Sequence, residues 1–407
     1  MLTSRRHALI GSAAATFTTL LSPFVGQTLA NVSGPGPAIY DSWFKVTPAV
    51  LENWTLTAAS DEPNTLTIRP KLLPLDTLVR KIFIIYPRPS SAYDIAISKI
   101  LTVLADKVID IEFTVVNFGL NEARGKIALQ AAEAGGFEII LSMGSETTAW
   151  LWSNYKDGRL PVITVCSKDP VVLGQSPGYA KGSGSNFAFT SLNMPIDVQM
   201  AYINELKPKL RNIAVLVDSQ NVSAIETQAK PVFDYAKSRN IRTLELSVKN
   251  PANAKVELER MVKDATAQMT RNDPDLSNSI FWLTGSTSVF REIQTINAFA
   301  GRAAVISVVP EIVRGGDDSA LLSIGISFES NAHLAAVYTA DVLRGRARIG
   351  QLPVGIVSPP DIAISFKKLR DIGMTIPLSF FEAAGTIYDY EGKPVRVDGV
   401  SVTLATN

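Results

Sequence analysis

The chain has 407 residues, of which 39 are basic and 38 acidic, and 46% of its residues are hydrophobic. A nearly neutral chain without a basic block argues against nucleic acid or an anionic membrane surface as the partner. Its single cysteine excludes an internal disulfide.

The first thirty residues are typical of an export signal. Arg5 and Arg6 precede an apolar run to Leu21, and small residues follow up to Ala30, where a signal peptidase would cut. This pattern indicates a twin-arginine signal peptide. The alternative is a membrane anchor, but the run is shorter than the roughly 20 residues that a span requires. No cysteine follows it to carry a lipid, so we expect a periplasmic protein without a lipid anchor.

Residues 31–79 show no long periodic pattern. Trp43, Phe44 and Trp54 stand among scattered prolines. We interpret 31–79 as an N-terminal extension that lies over the first lobe through its aromatic side chains, with a disordered first stretch.

From Lys81 onward, strand patterns alternate with helical patterns, which indicates a parallel sheet covered by helices on both faces. We assign residues 80–188 to a first lobe. Its predicted elements are strand Lys81–Tyr86, helix Ala92–Lys107, strand Ile111–Phe118, helix Asn121–Glu133, strand Phe137–Met143, a helix from Gly144 to about Asn154, and strand Pro161–Cys166.

The Gly/Ser-rich segment Gly178–Ser185 interrupts this alternation, and residues 189–328 repeat it as a second lobe. The predicted elements are helix Met194–Leu206, strand Asn212–Val217, helix Ala224–Ser238, strand Arg242–Val248, a helix from Asn250 to about Met269, strand Ser279–Leu283, helix Val289–Gly301, strand Ala304–Val309 and strand Ala320–Phe328. Residues of about 329–352 would return to the first lobe and about 353–385 to the second, with 386–407 as a C-terminal tail. The predicted fold is α/β, with two doubly wound parallel-sheet lobes joined by a hinge.

Several of these strands end in short polar side chains. Phe137–Met143 leads into Gly144 and Ser145 at a helix start, where unpaired N–H groups stabilise a bound anion by roughly 0.3–1 kcal/mol. For one such turn, Ser145 could equally cap its own helix. Other strands end in the same way, before Ser90, Ser167 and Thr284, and this repetition favours a binding site.

The sequence offers little for catalysis. His333 is the one histidine outside the export signal, and no Gly-x-Ser-x-Gly turn lies between a strand and a helix. Gly182-Ser183-Gly184-Ser185 lacks the lysine of a phosphate-binding loop. One histidine and one cysteine, Cys166, cannot form a zinc or copper site from nitrogen and sulfur ligands. We therefore expect no cofactor and no enzyme, although His333 beside a hydroxyl in a cleft would support one. Cys166 is predicted to be a buried strand residue, with a reactive thiol as the alternative.

The order of these pieces resembles the solute-binding proteins of ABC transporters, in particular a type I periplasmic-binding family whose characterised members include tryptophan- and tyrosine-binding proteins. The resemblance covers residues of about 80–380. The matching residues are the Lys81 strand with Ser90–Asp94, Ile139–Leu141 into Gly144-Ser145 with Thr147-Thr148, Pro161–Thr164 with Asp169-Pro170, Asn212–Asp218 with Ser223, Ser323–Ser327, Ala340–Gly345, Leu352–Val354 and Phe366–Pro377.

The resemblance implies a monomer that closes on a small organic solute, carboxylate-bearing in character (an amino acid or an aromatic acid), and delivers it to an ABC permease in the inner membrane. The alternative is a periplasmic sensor that presents its bound form to a receptor kinase. Family members commonly have Pro-Thr-Asp-Asn, with the aspartate positioned for a ligand's amino group, where this chain has Leu283-Thr284-Gly285-Ser286. An amino group would here need Glu311 or Asp218.

The predicted ligand-binding residues come from the polar strand ends of both lobes. Those of the first lobe are Ser90, Ser91, Tyr93, Asp94, Gly144, Ser145, Glu146, Thr147, Thr148, Ser167 and Asp169. Those of the second lobe are Asp218, Gln220, Thr284, Gly285, Ser286 and Glu311. Phe187 or Phe189 would stack on an apolar ligand, or instead pack the hinge.

Overall fold

Two sheets covered by helices organise the chain. The computed structural model describes residues 39–59, 62–72, 78–107 and 110–402. The predicted export signal and the first stretch of the extension, residues 1–38, lie outside the described residues. Across the ranges that are described, no helix combines the length and the apolar character that crossing a membrane requires.

The first sheet carries the first lobe. Its strands are β1 (Trp54–Ala58), β2 (Thr65–Pro70), β3 (Arg80–Tyr86), β4 (Ile111–Asn117), β5 (Ile139–Met143), β6 (Val162–Val165) and β7 (Phe187–Ala188). Their order across the sheet is β1-β2-β4-β3-β5-β6-β7. From β4 to β7 all neighbours pair in parallel, and β5 and β6 are fully buried because both faces are covered.

Four helices precede β7 in this lobe. They are α1 (Val50–Asn53), α2 (Ser91–Lys107), α3 (Glu122–Ala134) and α4 (Gly144–Tyr155). Asn121 caps α3 by accepting a hydrogen bond from the backbone N–H of Arg124 at 3.0 Å, as its sequence position predicted.

The second sheet carries the second lobe. Its strands are β8 (Asn212–Asp218), β9 (Arg242–Val248), β10 (Ser279–Leu283), β11 (Ala304–Ser307), β12 (Leu322–Gly325), β13 (Asp361–Ser365), β14 (Ala384–Tyr388), β15 (Pro394–Val397) and β16 (Val400–Ser401). Their order is β16-β15-β14-β13-β12-β11-β10-β8-β9. The β9 to β12 part is parallel, whereas β13 pairs antiparallel with β12 and β15 with β14.

The remaining helices follow β7. They are α5 (Ile196–Leu206), α6 (Val222–Ala224), α7 (Lys230–Ser238), α8 (Ala254–Thr270), α9 (Thr287–Phe290), α10 (Ile293–Phe299), α11 (Phe328–Leu343), α12 (Phe366–Ile372) and α13 (Leu378–Ala383). Helix α11 packs on α2 of the first lobe. Asn331 on α11 accepts hydrogen bonds from the Cys166 backbone N–H at 2.8 Å and from the Thr190 hydroxyl at 3.2 Å, which fixes this helix to the first sheet.

The structure adds two strands to the sequence interpretation of the extension. Residues 54–58 and 65–70 form β1 and β2, an antiparallel pair that continues the first sheet beyond β4. Trp43 and Phe44 are buried and contact Tyr86 edge to face, with ring centroids 6.1 and 5.8 Å apart. The described residues of the extension therefore contribute to the core of the first lobe.

Other elements also differ from the predictions. The helix predicted for Val289–Gly301 is two helices, α9 and α10. Strand β12 ends at Gly325, because Ser327 caps α11 by accepting a hydrogen bond from the Ser330 backbone N–H at 3.0 Å. The predicted tail contains β15 and β16, which extend the second sheet.

Candidate functional site

The carboxyl ends of strands from both sheets meet at a cleft between the lobes. The cleft has a volume of about 70 Å³. Its lining residues are Arg88, Ser90, Ala92, Tyr93, Ser145, Glu146, Cys166, Lys168, Leu192, Asn221, Ser223, Gly285, Thr287, Phe290 and Phe328. Strand ends at a sheet edge are the usual ligand position in open α/β sheets.

Gly144 leaves room for the Tyr93 side chain, which lines the cleft on the side of the first lobe. Its backbone is left-handed, with φ of 79°, and a Cβ atom at this position would lie 2.0 Å from the Tyr93 hydroxyl oxygen. Met143 is the N-cap of α4 and no side chain caps it. The Ser145 hydroxyl instead accepts a hydrogen bond from the Lys168 backbone N–H at 3.0 Å. Ser145 therefore ties two strand ends together and does not cap its own helix.

Lys168 places a positive charge inside the cleft. It follows β6, only 7% of the residue is exposed, and no carboxylate among the described residues forms an ion pair with it. Burial lowers the pKa of its ammonium to about 8, and the neighbouring Cys166 thiol opposes this shift. A Cβ atom on Gly285 of the second lobe would lie 2.5 Å from Nζ. Lys168 thus reaches across the cleft to the opposite lobe.

Arg88 and Glu146 form an ion pair at the edge of the cleft. Their closest N···O distance is 2.9 Å, and their side chains are 44% and 39% exposed. A pair with this exposure contributes about 0–1 kcal/mol. Burial and the adjacent Glu146 carboxylate raise the pKa of Tyr93 far above its usual range, so Tyr93 is a neutral hydrogen-bonding group.

The second lobe contributes amide and apolar surface. The Asn221 side chain accepts hydrogen bonds from the Ala224 N–H and the Ser223 hydroxyl, and the Gln228 carbonyl oxygen accepts one from the Gly285 N–H at 2.7 Å. The rings of Phe290 and Phe328 also line the cleft. The arrangement combines one unpaired ammonium with an apolar side, which suits an anion carrying an apolar body.

The structure brings part of the predicted site together. Ser90, Tyr93, Ser145, Glu146 and Gly285 line the cleft, and Gly144 lies behind Tyr93. The prediction missed several lining residues, among them Arg88, Lys168, Asn221, Ser223, Phe290 and Phe328. Lys168 stands between Ser167 and Asp169 at a strand end already singled out, so its charge was the signal that could have identified it.

Other predicted residues of the first lobe do not line the cleft. Thr147 and Thr148 are buried residues of α4, and the Thr148 hydroxyl pairs with that of Ser142 at 3.0 Å. Ser91 is exposed at the start of α2. The Asp94 carboxylate accepts a hydrogen bond from the Lys45 N–H at 3.0 Å and so holds the extension.

Ser167 and Asp169 do not line the cleft either. The Ser167 hydroxyl is buried. The Asp169 carboxylate accepts hydrogen bonds from the Val171 and Val172 N–H groups and from the Tyr179 hydroxyl at 2.5 Å. Asp169 therefore orders its own turn, because short acidic side chains readily accept bonds from the backbone that follows them.

The predicted polar residues of the second lobe mostly stabilise its strand ends. The Thr284 hydroxyl donates to the Leu216 carbonyl at 2.9 Å and pairs with the Ser286 hydroxyl at 3.0 Å. The Asp218 carboxylate accepts hydrogen bonds from the Ser288 hydroxyl at 2.6 Å and the Gln220 N–H at 2.9 Å. The Gln220 side chain is exposed.

Phe187 and Phe189 lie away from the cleft. Their rings stack at 5.6 Å, and both contact Trp152 in a core cluster on one face of the first sheet. Glu311 is half-buried near the start of α11, where its carboxylate accepts a hydrogen bond from the Phe328 N–H at 2.5 Å. Burial raises its pKa to about 8.

His333 does not supply a catalytic base to the cleft. It lies on α11 and lines a separate groove with Ser330, Pro359 and Asp361. In the described ranges, no group of three or more His, Cys, Asp or Glu side chains is arranged to hold a metal ion.

Two α/β lobes with strand ends that converge on a shared cleft define a type I periplasmic-binding fold. The chain belongs to the family of ABC transporter substrate binding proteins, whose family model matches residues 81–387. The resemblance drawn from the sequence is thereby confirmed, as is the predicted two-lobe fold class.

The chain is similar to the following known proteins at low sequence identity. A tyrosine-binding protein of Clostridioides difficile (strain R20291) is 22% identical over 237 residues, which are 58% of this chain and 63% of that protein. The chain thus spans less than two thirds of this curated relative. A Streptococcus pneumonia ABC domain, solved in complex with L-Trp, has a TM-score of 0.61 and 19% identity, with 76% of this chain and 100% of that chain covered. The ligand-free, open structure of a Clostridium difficile substrate binding protein with adhesive properties has a TM-score of 0.57 and 16% identity, with 76% and 99% covered.

Proposed function

We propose that this chain is the solute-binding component of an ABC importer, which binds a small carboxylate-bearing organic solute between its lobes in the periplasm. It would deliver this solute, an amino acid or an aromatic acid, to an inner-membrane permease without converting it. The observation that carries the proposal is the buried, unpaired Lys168 ammonium, which extends from one lobe toward Gly285 of the other.

The geometry around Lys168 supports capture by lobe closure. Burial in a medium of low dielectric strengthens any charge pair made there, and closure of two lobes around a ligand is the usual motion of this architecture. At about 70 Å³, the cleft is small beside the roughly 300–1,000 Å³ of typical small-molecule pockets. Entry of such a solute therefore requires the lobes to separate and to close again around it.

A thermal-shift screen followed by calorimetry tests this function. The purified protein is screened against amino acids, aromatic acids and their amides. A ligand at 100 times its Kd should stabilise the folded state by roughly 2.7 kcal/mol. Absence of stabilisation by every carboxylate in the screen would contradict the proposal.

A pair of glycine variants locates the binding site. Gly285→Leu places a side chain against Lys168 and should abolish binding. Gly178→Leu is the matched control, because a Cβ atom there meets nothing within 4 Å. If both variants bind the solute as the unmodified protein does, the solute binds outside the cleft.

A further inference from the structure

The charges around the cleft favour one class of carboxylate over another. Arg88, Lys168 and Glu146 are the ionised side chains of its lining. Arg88 and Glu146 neutralise each other across 2.9 Å. The Lys168 ammonium is thus the unbalanced charge of the lining, and a ligand with one net negative charge would balance it.

The carboxylates near the cleft are already engaged. Glu146 pairs with Arg88. Asp218 accepts two hydrogen bonds from its own lobe. Glu311 accepts one from the Phe328 N–H and has its pKa raised to about 8 by burial, which makes it neutral at pH 7. Each of these three carboxylates already has a partner or a proton within the protein, and Asp218 and Glu311 do not line the cleft.

Gly285 leaves the Lys168 ammonium without a carboxylate partner from the second lobe. A side chain at 285 would begin 2.5 Å from Nζ, so a carboxylate carried at this position would pair with Lys168. Glycine leaves the ammonium free to pair with the ligand. A second ammonium, brought by a zwitterionic ligand, would instead face Lys168 in a buried site where like charges repel strongly.

We propose that the cleft selects an organic acid that carries a carboxylate and an apolar or aromatic body but no ammonium group, with Lys168 holding the carboxylate. Leu192, Phe290 and Phe328 form the apolar side of the cleft and would contact the body. The inference rests on the proposed function and narrows its substrate class.

Matched pairs of ligands that differ by the α-ammonium group alone test the inference. Calorimetry compares 3-phenylpropionate with phenylalanine, 3-(4-hydroxyphenyl)propionate with tyrosine, and indole-3-propionate with tryptophan. We expect the deaminated member of a pair to bind at least tenfold more tightly. Tighter binding of the amino acids would overturn the inference and leave the proposed function standing. No binding of any member would contradict the proposed function itself.

Charge variants separate the role of Lys168 from a role in folding. Lys168→Met keeps most of the length of the side chain and removes its charge. It should weaken binding of the acid more than tenfold and leave the circular dichroism spectrum unchanged. Lys181→Met, at an exposed lysine of the Gly/Ser-rich segment, should bind as the unmodified protein does. Equal affinities in the two variants would overturn the assignment of Lys168.

The reverse change tests selectivity. Gly285→Asp introduces a carboxylate next to Nζ, so it should weaken binding of the acids and shift the ratio of affinities toward the amino acids. An unchanged ratio in this variant would overturn the proposed opposition of Lys168 and Gly285.

Discussion

Gly144 combines two constraints that a single methyl group would violate. Its φ of 79° is left-handed, and a side chain in that conformation costs roughly 1–2 kcal/mol. Its Cβ would also lie 2.0 Å from the Tyr93 hydroxyl oxygen. Tyr93 cannot easily yield, because it is 6% exposed and its ring packs edge to face on Tyr86 at 5.7 Å.

Gly144→Ala should therefore carry two costs. The backbone strain adds to an overpacking cost of about 1–3 kcal/mol, for a total loss of about 2–5 kcal/mol in the free energy of unfolding. Since Tyr93 lines the cleft, its displacement should also weaken solute binding. Urea unfolding and calorimetric titration measure the two effects.

Gly136→Ala is the matched control for backbone strain. Gly136 has φ of 71°, and a Cβ atom there meets nothing within 4 Å. This variant should lose about 1–2 kcal/mol and should keep its affinity for the solute. If both variants lose the same free energy and bind equally well, the packing of Tyr93 against Gly144 does not shape the cleft.

Three further predictions concern charge and packing. Affinity for a carboxylate should fall as the pH rises through about 8, because burial lowers the pKa of Lys168 to about 8 and anion binding needs the protonated ammonium. Calorimetric titrations at several pH values that show no such fall would contradict this role of Lys168. The pKa of Glu311 is raised from 4.5 to about 8, so the folded state retains a proton that the unfolded state releases. The contribution of Glu311 to stability is therefore full below pH 4.5 and is lost as the pH rises through 8. Glu311→Gln should flatten the dependence of the free energy of unfolding on pH between 4.5 and 8. Phe44→Ala removes a fully buried ring and should lower the free energy of unfolding by about 3–5 kcal/mol. Leu51 is 44% exposed, so Leu51→Ala should change the free energy of unfolding by less than about 0.5 kcal/mol. Urea unfolding measures both variants.

The alternating α/β core was predictable because its strands are buried on both faces. Ile139–Met143 and Asn212–Asp218 are fully buried strands, and such strands appear in a sequence as continuous apolar runs. Trp54–Ala58 alternates between buried and exposed positions over five residues only. This short pattern, interrupted by prolines on either side, did not indicate the sheet edge that the structure contains.

The site was predictable as a set of strand ends and less so as a set of side chains. A polar residue at a strand end can face the cleft, as Ser145 does, or turn back to its own backbone, as Asp169 does. Sequence spacing does not distinguish these two directions. The sequence left two positions open for Phe187 and Phe189 for a related reason, since aromatic rings on a short strand can pack on the side of the sheet that faces away from the cleft.

A crystal structure of the protein with its bound acid would test the central claim most directly. We predict a carboxylate within hydrogen-bonding distance of Lys168 Nζ, enclosed between the Ser145 turn and Gly285. A ligand found instead in the separate groove beside His333 and Pro359, or one bound in the cleft with its carboxylate remote from Lys168, would contradict the account.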